Sequence, residues 1–344
     1  MITTAIRTLT DGADLTAEEA HAAMMQVMSA EATPAQIAGF LIALRMKGET
    51  PEEIAGCARA MRAHVTPAAP TRHDLVDTCG TGGDGAETFN ISTAAALVAA
   101  AGGAAVAKHG NRAVSSRCGS ADVLEALGVR IDLSPADVAA CVDEVGFGFL
   151  FAQAHHPAMR HAGPVRRELA VRTVFNLLGP LTNPAGARRQ VIGVYSAGLV
   201  EPIAHVLVQL GAEHALVVHG AGGVDELTPV GDNLVAEVRD GSVRTFTLDP
   251  HELSTGAVPA TPDDLKVGGE PAENAAIIRT VLDGERGPRR DAVVLNAGAA
   301  LLVAGLADDL EAGIDRAVEA IDSGAATGTL DRLVAFTTAR AGAA

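Results

Sequence analysis

The chain has 344 residues and a formal net charge of −16, since 26 Lys and Arg stand against 42 Asp and Glu. Hydrophobic residues make up 48% and charged residues 20%, which is typical of a folded protein of one large domain or two and excludes general disorder. The acidic balance argues against broad binding to nucleic acids or anionic membranes, because both require basic surfaces.

The first 65 residues predict three short helices. Thr16, Thr33 and Thr50 each begin a capping-box pattern, and proline follows the second and third of them at the first helical position. Gly48 is placed to end the second helix. The segment 66–70, Thr-Pro-Ala-Ala-Pro, then predicts a linker between this helical region and the rest of the chain.

Beyond the linker, short apolar runs alternate with helical segments such as 121–127 and 135–144. The runs expected to form strands are 75–77, 104–107, 129–131, 147–151, 191–195 and 215–219. Alternation of this kind predicts an α/β fold with a largely parallel sheet and helices on its faces.

Two later segments differ from this alternation. Residues 233–239 and 242–248, joined by Asp240 and Gly241, predict a β-hairpin with a type I′ turn. The final stretch, 273–340, is rich in alanine and is expected to be mostly helical.

Secretion and membrane insertion are not expected. The four cysteines form no Cys-x-x-Cys pair, so neither a zinc ribbon nor a disulfide framework is predicted, and the cytoplasm is the simplest compartment. Residues 1–12 lack the apolar stretch of a signal peptide. Residues 88–107 are uncharged and about as long as a bilayer crossing, but polar residues and glycines interrupt them, which favours a buried segment beside a polar site.

Residues 80–85, Gly-Thr-Gly-Gly-Asp-Gly, follow a predicted strand and match the GxGxxG pattern of dinucleotide-binding proteins. That pattern also needs an immediate helix and an acidic residue about 20 positions later. No Asp or Glu occurs between Glu87 and Asp122, which argues against a nicotinamide cofactor. An ordinary Gly-rich turn and a phosphate-binding loop remain open, and residues 90–93 suit either a helix cap or an anion site at a helix N-terminus.

Positive charge is concentrated in two stretches that are poor in acidic residues. Lys108, Arg112 and Arg117 lie in the first, which predicts a local positive field or else a solvated basic loop. Arg166 lies in the second, where its planar guanidinium suits a carboxylate, although a surface arginine is the simpler interpretation.

Two groups of side chains suggest metal binding. Asp225 and Glu226 follow a predicted strand and suit Mg²⁺, which prefers oxygen ligands, or else form a solvated turn. The three histidines within residues 155–161 suggest zinc, but no partner pattern accompanies them and Pro157 interrupts the helix that a ligand pair needs.

These segments, in this order, closely resemble the anthranilate phosphoribosyltransferase family. The resemblance covers nearly the whole chain, and the spacing between the Gly-rich loop and the Lys-His-Gly-Asn-Arg run is highly specific. The segments that carry it are 77–84, 90–93, 108–112, 119–122, 175–181, 225–226 and 295–300.

The resemblance implies a site for 5-phosphoribosyl 1-diphosphate and anthranilate, with Mg²⁺ as cofactor. The implied contacts to 5-phosphoribosyl 1-diphosphate are Gly80, Gly83, Asp84, Thr88, Asn90, Ile91, Ser92, Thr93, Lys108, His109, Gly110, Asn111, Arg112, Ala113, Val114, Ser115, Ser116 and Ser120. The implied Mg²⁺ ligands are Ser92, Asp225 and Glu226, and the implied anthranilate contacts are Gly80, Asn111 and Arg166.

The resemblance also implies the architecture and the reaction. The expected fold is a small all-helical N-terminal domain, residues 1–70, plus a larger α/β domain, residues 71–344, with a mostly parallel central sheet similar to that of pyrimidine nucleoside phosphorylases. A segment near residues 165–187 should return to the helical domain, through which a cytoplasmic homodimer would form. No obligatory proton acceptor is expected, and Lys108 and Arg166 would support catalysis by positioning and electrostatics.

The implied reaction is transfer of the 5-phosphoribosyl group to the amine of anthranilate in tryptophan biosynthesis, and two other functions remain open. A pyrimidine nucleoside phosphorylase shares the fold, but its chemistry gives no reason for the Lys-His-Gly-Asn-Arg run beside an arginine placed for a carboxylate. A non-catalytic nucleic-acid-binding relative should be basic, whereas this chain is acidic and keeps the metal and phosphate residues.

Overall fold

The structure is a computed structural model that describes residues 1–113, 117–253, 259–267 and 269–341. Its α-helices are α1 (Ile2–Thr10), α2 (Ala17–Met28), α3 (Pro34–Lys47), α4 (Pro51–Arg62), α5 (Ile91–Ala101), α6 (Ser120–Ala126), α7 (Pro135–Val145), α8 (Ala152–His155), α9 (Met159–Leu169), α10 (Phe175–Leu178), α11 (Val200–Gln209), α12 (Pro271–Leu282), α13 (Pro288–Val303), α14 (Leu310–Asp322) and α15 (Ala325–Ala341). Its strands are β1 (Leu75–Asp77), β2 (Ala105–Gly110), β3 (Phe147–Phe151), β4 (Arg189–Gly193), β5 (His214–His219), β6 (Asn233–Arg239) and β7 (Ser242–Leu248). None of these helices is long and apolar enough to span a membrane.

Helices α2, α3 and α4 begin where the capping boxes predict. The side chains of Thr16, Thr33 and Thr50 each accept a hydrogen bond from the backbone N–H three residues on, and that residue's side chain accepts one in return. Gly48 ends α3, as predicted. The prediction of three helices is wrong, because α1 precedes them; its N-cap, Met1, makes no side-chain capping hydrogen bond, so no start signal marks it.

The seven strands form one sheet in the order β3-β2-β1-β4-β5-β6-β7. The first five in that order are parallel, whereas β6 and β7 pair antiparallel. The prediction of an α/β fold with a mostly parallel sheet is therefore confirmed, and the hairpin has its predicted bounds. Its turn has positive φ at both Asp240 (52°) and Gly241 (76°), as a type I′ turn requires.

The strand predicted over residues 129–131 is wrong. The valine and isoleucine of this run are buried, but its backbone bonds outside any sheet. The N–H of Val129 donates to the carbonyl of Leu124 at 2.9 Å, and the N–H of Arg130 donates to Thr337 Oγ1 at 3.2 Å. An apolar run this short suits a buried loop as well as a strand, and only its tertiary neighbours decide between them.

Two large hydrophobic cores cover the two faces of the sheet, with a smaller third cluster around Ala105, Ala107 and Leu150. Side chains such as Val191 point into a core shared with α5, α13, α14 and α15, whereas Ile192 points to the other face. The core on that other face joins α1 to α4 with α9, α10 and α11, and it contains Val165 and Phe175. Helices α9 and α10 thus pack with the N-terminal helices, while the domain boundary at residue 70 stays a prediction.

The carboxyl ends of the parallel strands lie at one edge of the sheet, so the loops after β1, β2, β4 and β5 meet there. The N–H of Thr81, in the loop after β1, donates to the carbonyl of Gly193 at the end of β4 (2.8 Å). The residues that follow β5 reach the same loop, because Asp225 accepts a hydrogen bond from the N–H of Gly82. This edge places the Gly-rich loop, the loop after β2 and the paired acidic residues together.

Candidate active site

Lys108 lies on β2 with its side chain buried, only 2% of the residue being exposed. Its ammonium donates to the carbonyl oxygen and to Oγ1 of Thr78, at 2.7 and 3.2 Å. A buried cation needs nearby negative charge, and the carboxyl groups of Asp77 and Glu226 supply it. Burial raises the pKa of Asp77 to about 6 and that of Glu226 to about 7, and in both cases the charge of Lys108 opposes the increase.

Asp77 fixes the end of β2. One of its carboxylate oxygens accepts the backbone N–H of His109 at 3.0 Å, and the other accepts Nδ2 of Asn183 at 2.7 Å. Asn183 also donates to the carbonyl of Ala107, at 2.8 Å. Asp77, Cys79 and His109 offer possible metal-ligand atoms within 4.8 Å of one another, but both carboxylate oxygens of Asp77 already accept N–H donors. This group is therefore a hydrogen-bond network that sets the position of Lys108.

His109 pairs with a second buried histidine. Its Nδ1 lies 3.0 Å from the carbonyl oxygen of Gly179, and its Nε2 lies 3.1 Å from Nε2 of His156. Because a carbonyl only accepts, His109 carries its proton on Nδ1, and His156 must donate to its Nε2. Burial lowers the pKa of His109 to about 3 and that of His156 to about 4, so both rings are neutral at neutral pH.

Asp225 and Glu226 are half-buried in the loop after β5. Asp225 Oδ2 accepts the N–H of Gly82 at 2.6 Å, and the N–H of Asp225 donates to Asp84 Oδ2 at 3.1 Å. Glu226 Oε1 accepts the N–H of Ser92 at 3.1 Å. The structure therefore joins the predicted metal ligands to the Gly-rich loop and to the start of α5.

The charges of these acidic residues repel one another. Desolvation, followed by the charges of Glu226 and Asp84, raises the pKa of Asp225 well above its ordinary value. Together with the hydroxyl of Ser92, the three carboxylates form a donor set made only of oxygen. A hard divalent cation such as Mg²⁺ prefers that chemistry and would relieve the repulsion.

Close packing explains two glycines beside Asp225. A Cβ at Gly80 would lie 2.6 Å from Asp225 Oδ2, and a Cβ at Gly193 would collide with the carbonyl oxygen of Asp225. Any other residue at Gly193 would displace the backbone of the acidic loop. The predicted site residue Gly80 thus lies directly against the carboxylate that the sequence assigns to the metal.

The Gly-rich loop leaves several amides available. Gly82, Gly83 and Gly85 have positive φ values of 65°, 73° and 77°, which glycine adopts without strain. Within the described chain, no hydrogen-bond acceptor is found for the N–H groups of Gly83, Asp84 or Gly85. Successive amides in a tight loop form an anion-binding concavity.

Helix α5 begins beside this loop with unpaired polar atoms. Asn90 is its N-cap residue, but its side-chain amide donates to the carbonyl of Cys118 at 3.2 Å rather than capping the helix. Its Oδ1 and the Oγ1 of Thr93 are buried, and neither has a partner among the residues that the structure covers. Buried polar atoms normally have partners, so these two point to a ligand at the helix N-terminus. The side chain of Ile91 is packed in the core, which leaves only its backbone for such contact.

The loop after β2 is held by Asp122, whose Oδ2 accepts the N–H groups of Ala113 and Gly119, both at 2.9 Å. Arg112 is exposed and pairs with Glu125 at 2.5 Å and with Asp122 at 3.0 Å. Contrary to expectation, it adds little free positive charge to the site. The remaining predicted contacts described in this loop are Gly110, Asn111 and Ser120. Ser120 Oγ donates to the carbonyl of Asn111 at 3.3 Å. The predicted contacts Val114, Ser115 and Ser116 lie outside the described residues.

Arg166 lies on α9 and is half-buried. Its guanidinium carbon is 5.0 Å from the ring centroid of Phe175, and burial lowers its pKa. No carboxylate of the described chain pairs with it. Thr88 forms a short antiparallel bridge with Lys266.

Several residues of the site are not predicted from the sequence as ligands: Asp77, Thr78, His156, Arg172, Asn183 and Tyr195. Their roles depend on contacts between distant segments, such as Asp77 with Asn183. Only Asp77 has a sequence signal, because it ends the predicted strand immediately before the Gly-rich loop.

Comparisons with known proteins agree with this geometry. A family model described as "Glycosyl transferase family, a/b domain" matches residues 72–327, and another described as "Glycosyl transferase family, helical bundle domain" matches residues 3–65. The chain is 54% identical over 332 residues to an anthranilate phosphoribosyltransferase of Symbiobacterium thermophilum, covering 96% of both chains.

Solved structures show the same similarity. Anthranilate phosphoribosyltransferase from Thermus thermophilus has a TM-score of 0.91 and 52% identity, covering 97% of this chain and 99% of its own. The enzyme from Saccharomyces cerevisiae, in complex with PRPP and Mg, has a TM-score of 0.87 and 28% identity, covering 98% of each chain. The same yeast enzyme has also been solved in complex with 4-fluoroanthranilate, with a TM-score of 0.86 and 27% identity over 98% of each chain.

Proposed function

The chain belongs to the anthranilate phosphoribosyltransferase family, and from this membership we propose how its residues carry out the family's reaction. The enzyme transfers the 5-phosphoribosyl group from 5-phosphoribosyl 1-diphosphate to the amine of anthranilate, giving N-(5-phosphoribosyl)anthranilate and diphosphate. This is the second step of tryptophan biosynthesis from chorismate. The observation that carries the assignment is 54% identity over 332 residues, together with the cluster around Lys108, Asp225 and Glu226.

The phosphates of the donor would bind at the free amides of residues 83–85 and at the N-terminus of α5. Both features favour anions, since unpaired N–H groups and the helix dipole point toward the ligand. The buried atoms Asn90 Oδ1 and Thr93 Oγ1 support a polar ligand there. The other contacts expected from the sequence, including Thr88 and the loop 108–120, stay predictions.

Mg²⁺ is the proposed cofactor, held by Ser92, Asp225 and Glu226. Their oxygen-only donor set and the raised pKa values of the two acids support this. When bound, the ion would neutralise negative charge on the departing diphosphate. Lys108, fixed by its bonds to Thr78, lies close enough to Glu226 to oppose the rise in the pKa of that acid.

Anthranilate is proposed to bind at Gly80, Asn111 and Arg166. Arg166 supports this, because a half-buried guanidinium that has no carboxylate partner in the described part of the chain suits a ligand that brings one. The acceptor is an aromatic amine that attacks C1 of an oxocarbenium-like sugar, so no strong base has to act beforehand. Orienting the two substrates can lower the barrier by about 7–11 kcal/mol, which is the main contribution expected of these residues.

The assembly is proposed to be a cytoplasmic homodimer formed through the helical region. Met46 on α3 is 81% exposed, and the same helix presents the half-buried Ile42, so this helix carries apolar surface that a second copy could cover. All four cysteines are free thiols, which suits a reducing compartment.

The direct test is loss of anthranilate fluorescence in the presence of 5-phosphoribosyl 1-diphosphate and Mg²⁺. Consumption that requires both additions is the expected result. Thymidine with phosphate serves as the control, since a nucleoside phosphorylase would consume it. An enzyme that leaves anthranilate unchanged but cleaves thymidine would overturn the assignment.

A further inference from the structure

Arg172 joins two segments that are far apart in the sequence. It is an exposed residue between α9 and α10, close to helices that pack in the core of the N-terminal region. Its Nη2 donates to the carbonyl oxygen of Gly83 in the Gly-rich loop. Its guanidinium carbon also lies 4.2 Å from the ring centroid of Tyr195, close enough for a cation–π contact.

Tyr195 is itself attached to the Gly-rich loop. Its backbone N–H donates to Thr81 Oγ1 at 3.1 Å, and the N–H of Thr81 donates to Gly193 at 2.8 Å. The ring of Tyr195, which Arg172 contacts, is therefore attached to the Gly-rich loop. Arg172 binds a carbonyl oxygen of that same loop. Arg172 and Tyr195 hold the loop from the side of α10 and β4.

The contact at Gly83 determines where the next amide points. A peptide bond is planar and trans, so the C=O of Gly83 and the N–H of Asp84 point in opposite directions. A donor that holds the carbonyl on one side aims the N–H of Asp84 at the other side. That N–H has no acceptor in the described chain, and glycines at positions 82 and 83 would let the peptide rotate without Arg172.

We propose that Arg172 is a positioning residue for the phosphoribosyl donor: it orients the Gly83–Asp84 peptide so that the Asp84 amide faces the diphosphate, with Tyr195 as its support. The inference rests on the proposed function, because it assigns the free amides to the diphosphate. Arg172 touches neither substrate in this proposal. Its effect should therefore fall on the binding of one substrate and not on the transfer step.

The kinetic test compares Arg172→Ala with Arg244→Ala. Arg244 is a matched control because its guanidinium also rests on a ring, 4.8 Å from the centroid of Phe246, on the edge strand β7. We expect Arg172→Ala to raise KM for 5-phosphoribosyl 1-diphosphate roughly tenfold, the order expected when one charge-assisted hydrogen bond is lost. KM for anthranilate and kcat should each stay within about twofold.

A conservative variant separates positioning from simple support of the fold. Arg172→Lys keeps a donor for the Gly83 carbonyl but loses the planar group that stacks on Tyr195, so it should recover part of the lost affinity. Tyr195→Phe, which keeps the ring, should resemble the wild type. Both KM values rising together in Arg172→Ala, or no rise beyond that of Arg244→Ala, would overturn the proposal.

A binding measurement without turnover is also possible, because the chain has one tyrosine and no tryptophan. Tyr195 emission can therefore report titration with Mg²⁺ and inorganic diphosphate in the absence of anthranilate. The midpoint should move to roughly tenfold higher diphosphate in Arg172→Ala and stay unchanged in Arg244→Ala; an unchanged midpoint in both counts against the proposal. A wild-type enzyme that cannot use 5-phosphoribosyl 1-diphosphate would refute the proposed function, whereas an active wild type with an unaffected Arg172→Ala refutes only the role of Arg172.

Discussion

Two regions of the molecule hold carboxylates away from water, and they differ in whether neighbouring groups balance the negative charge. Glu53, in the N-terminal helices, is fully buried, and its oxygens accept the N–H groups of Leu15 (2.9 Å) and Thr50 (2.8 Å) and face Lys47 at 3.0 Å. Asp225 and Glu226, at the edge of the sheet, repel each other and have raised pKa values. A satisfied buried acid stabilises a fold, whereas acids left in mutual repulsion indicate a site completed by a ligand.

Neutralising Asp225 and Glu226 together is expected to have the largest effect on activity. Asp225→Asn with Glu226→Gln should lower kcat/KM at least about 100-fold, because several kcal/mol of charge stabilisation is lost. The same variant should unfold at an equal or higher temperature, since removing like charges relieves repulsion. Activity against Mg²⁺ concentration and thermal unfolding measure the two effects, and an unchanged Mg²⁺ response would refute the metal assignment.

The opposite change is expected in the helical region. Glu53→Gln should lower the free energy of unfolding by about 3 kcal/mol, because it removes the buried charge partner of Lys47 and leaves its ammonium paired only with the exposed Asp14. Kinetic constants of the folded enzyme should not change. Chemical denaturation checks this, with the exposed Glu52→Gln on the same helix as control; equal stability of the two variants would contradict the structural role of Glu53.

Arg166 extends the contrast to a cation, since no carboxylate of the described residues pairs with it. Arg166→Ala should raise KM for anthranilate more than tenfold, because it removes a charge-assisted contact to the substrate carboxylate. KM for 5-phosphoribosyl 1-diphosphate should change much less. Steady-state kinetics with each substrate varied in turn is the measurement, and equal loss for both substrates would contradict the assignment.

The remaining prediction concerns the buried pair His109 and His156. His109 and His156 have pKa values lowered from 6.5 to about 3 and about 4, so the unfolded chain binds protons that the folded protein does not. Stability from this pair is present above pH 6.5 and is lost as the pH falls toward 4. Each histidine contributes a slope of at most about 1.4 kcal/mol per pH unit.

The variant His156→Gln should therefore lose less stability on acidification than the wild type. The difference between the two proteins isolates the histidine, because the buried Asp77, with its raised pKa, acts in the opposite direction in both. Denaturation at several pH values checks this, and parallel curves for the two proteins would count against neutral buried imidazoles.

Local rules predict local features of this molecule well. Three threonine capping boxes, the Asp240-Gly241 turn and the mostly parallel sheet follow from backbone geometry and hydrophobic pattern, which act over a few residues. Helix α1 has no side-chain cap that marks its start, and the backbone N–H of Arg130 donates to Thr337 Oγ1, more than 200 positions away. Contacts of that range leave no local signal.

The candidate site divides in the same way. Lys108, Asp225 and the Gly-rich loop can be found from residue type and order, because the chemistry of phosphate and metal requires them. The pairing of Arg112 with Glu125 and the contacts of Arg172 with Gly83 and Tyr195 depend on how loops are folded together. A pattern of residues thus predicts what a site contains more readily than how each group is oriented.

The bond from the Gly82 amide to Asp225 Oδ2, 2.6 Å long, would make the proposed binding of Mg²⁺ and of diphosphate depend on each other. A divalent ion bound as proposed would draw this carboxylate away from the amide, and an anion bound at the amide would release the carboxylate. By thermodynamic reciprocity, each ligand must then increase the affinity for the other by the same factor. Because Asp225 Oδ2 can bind either the Gly82 amide or the ion, the cation and the anion would bind cooperatively without any movement of the domains.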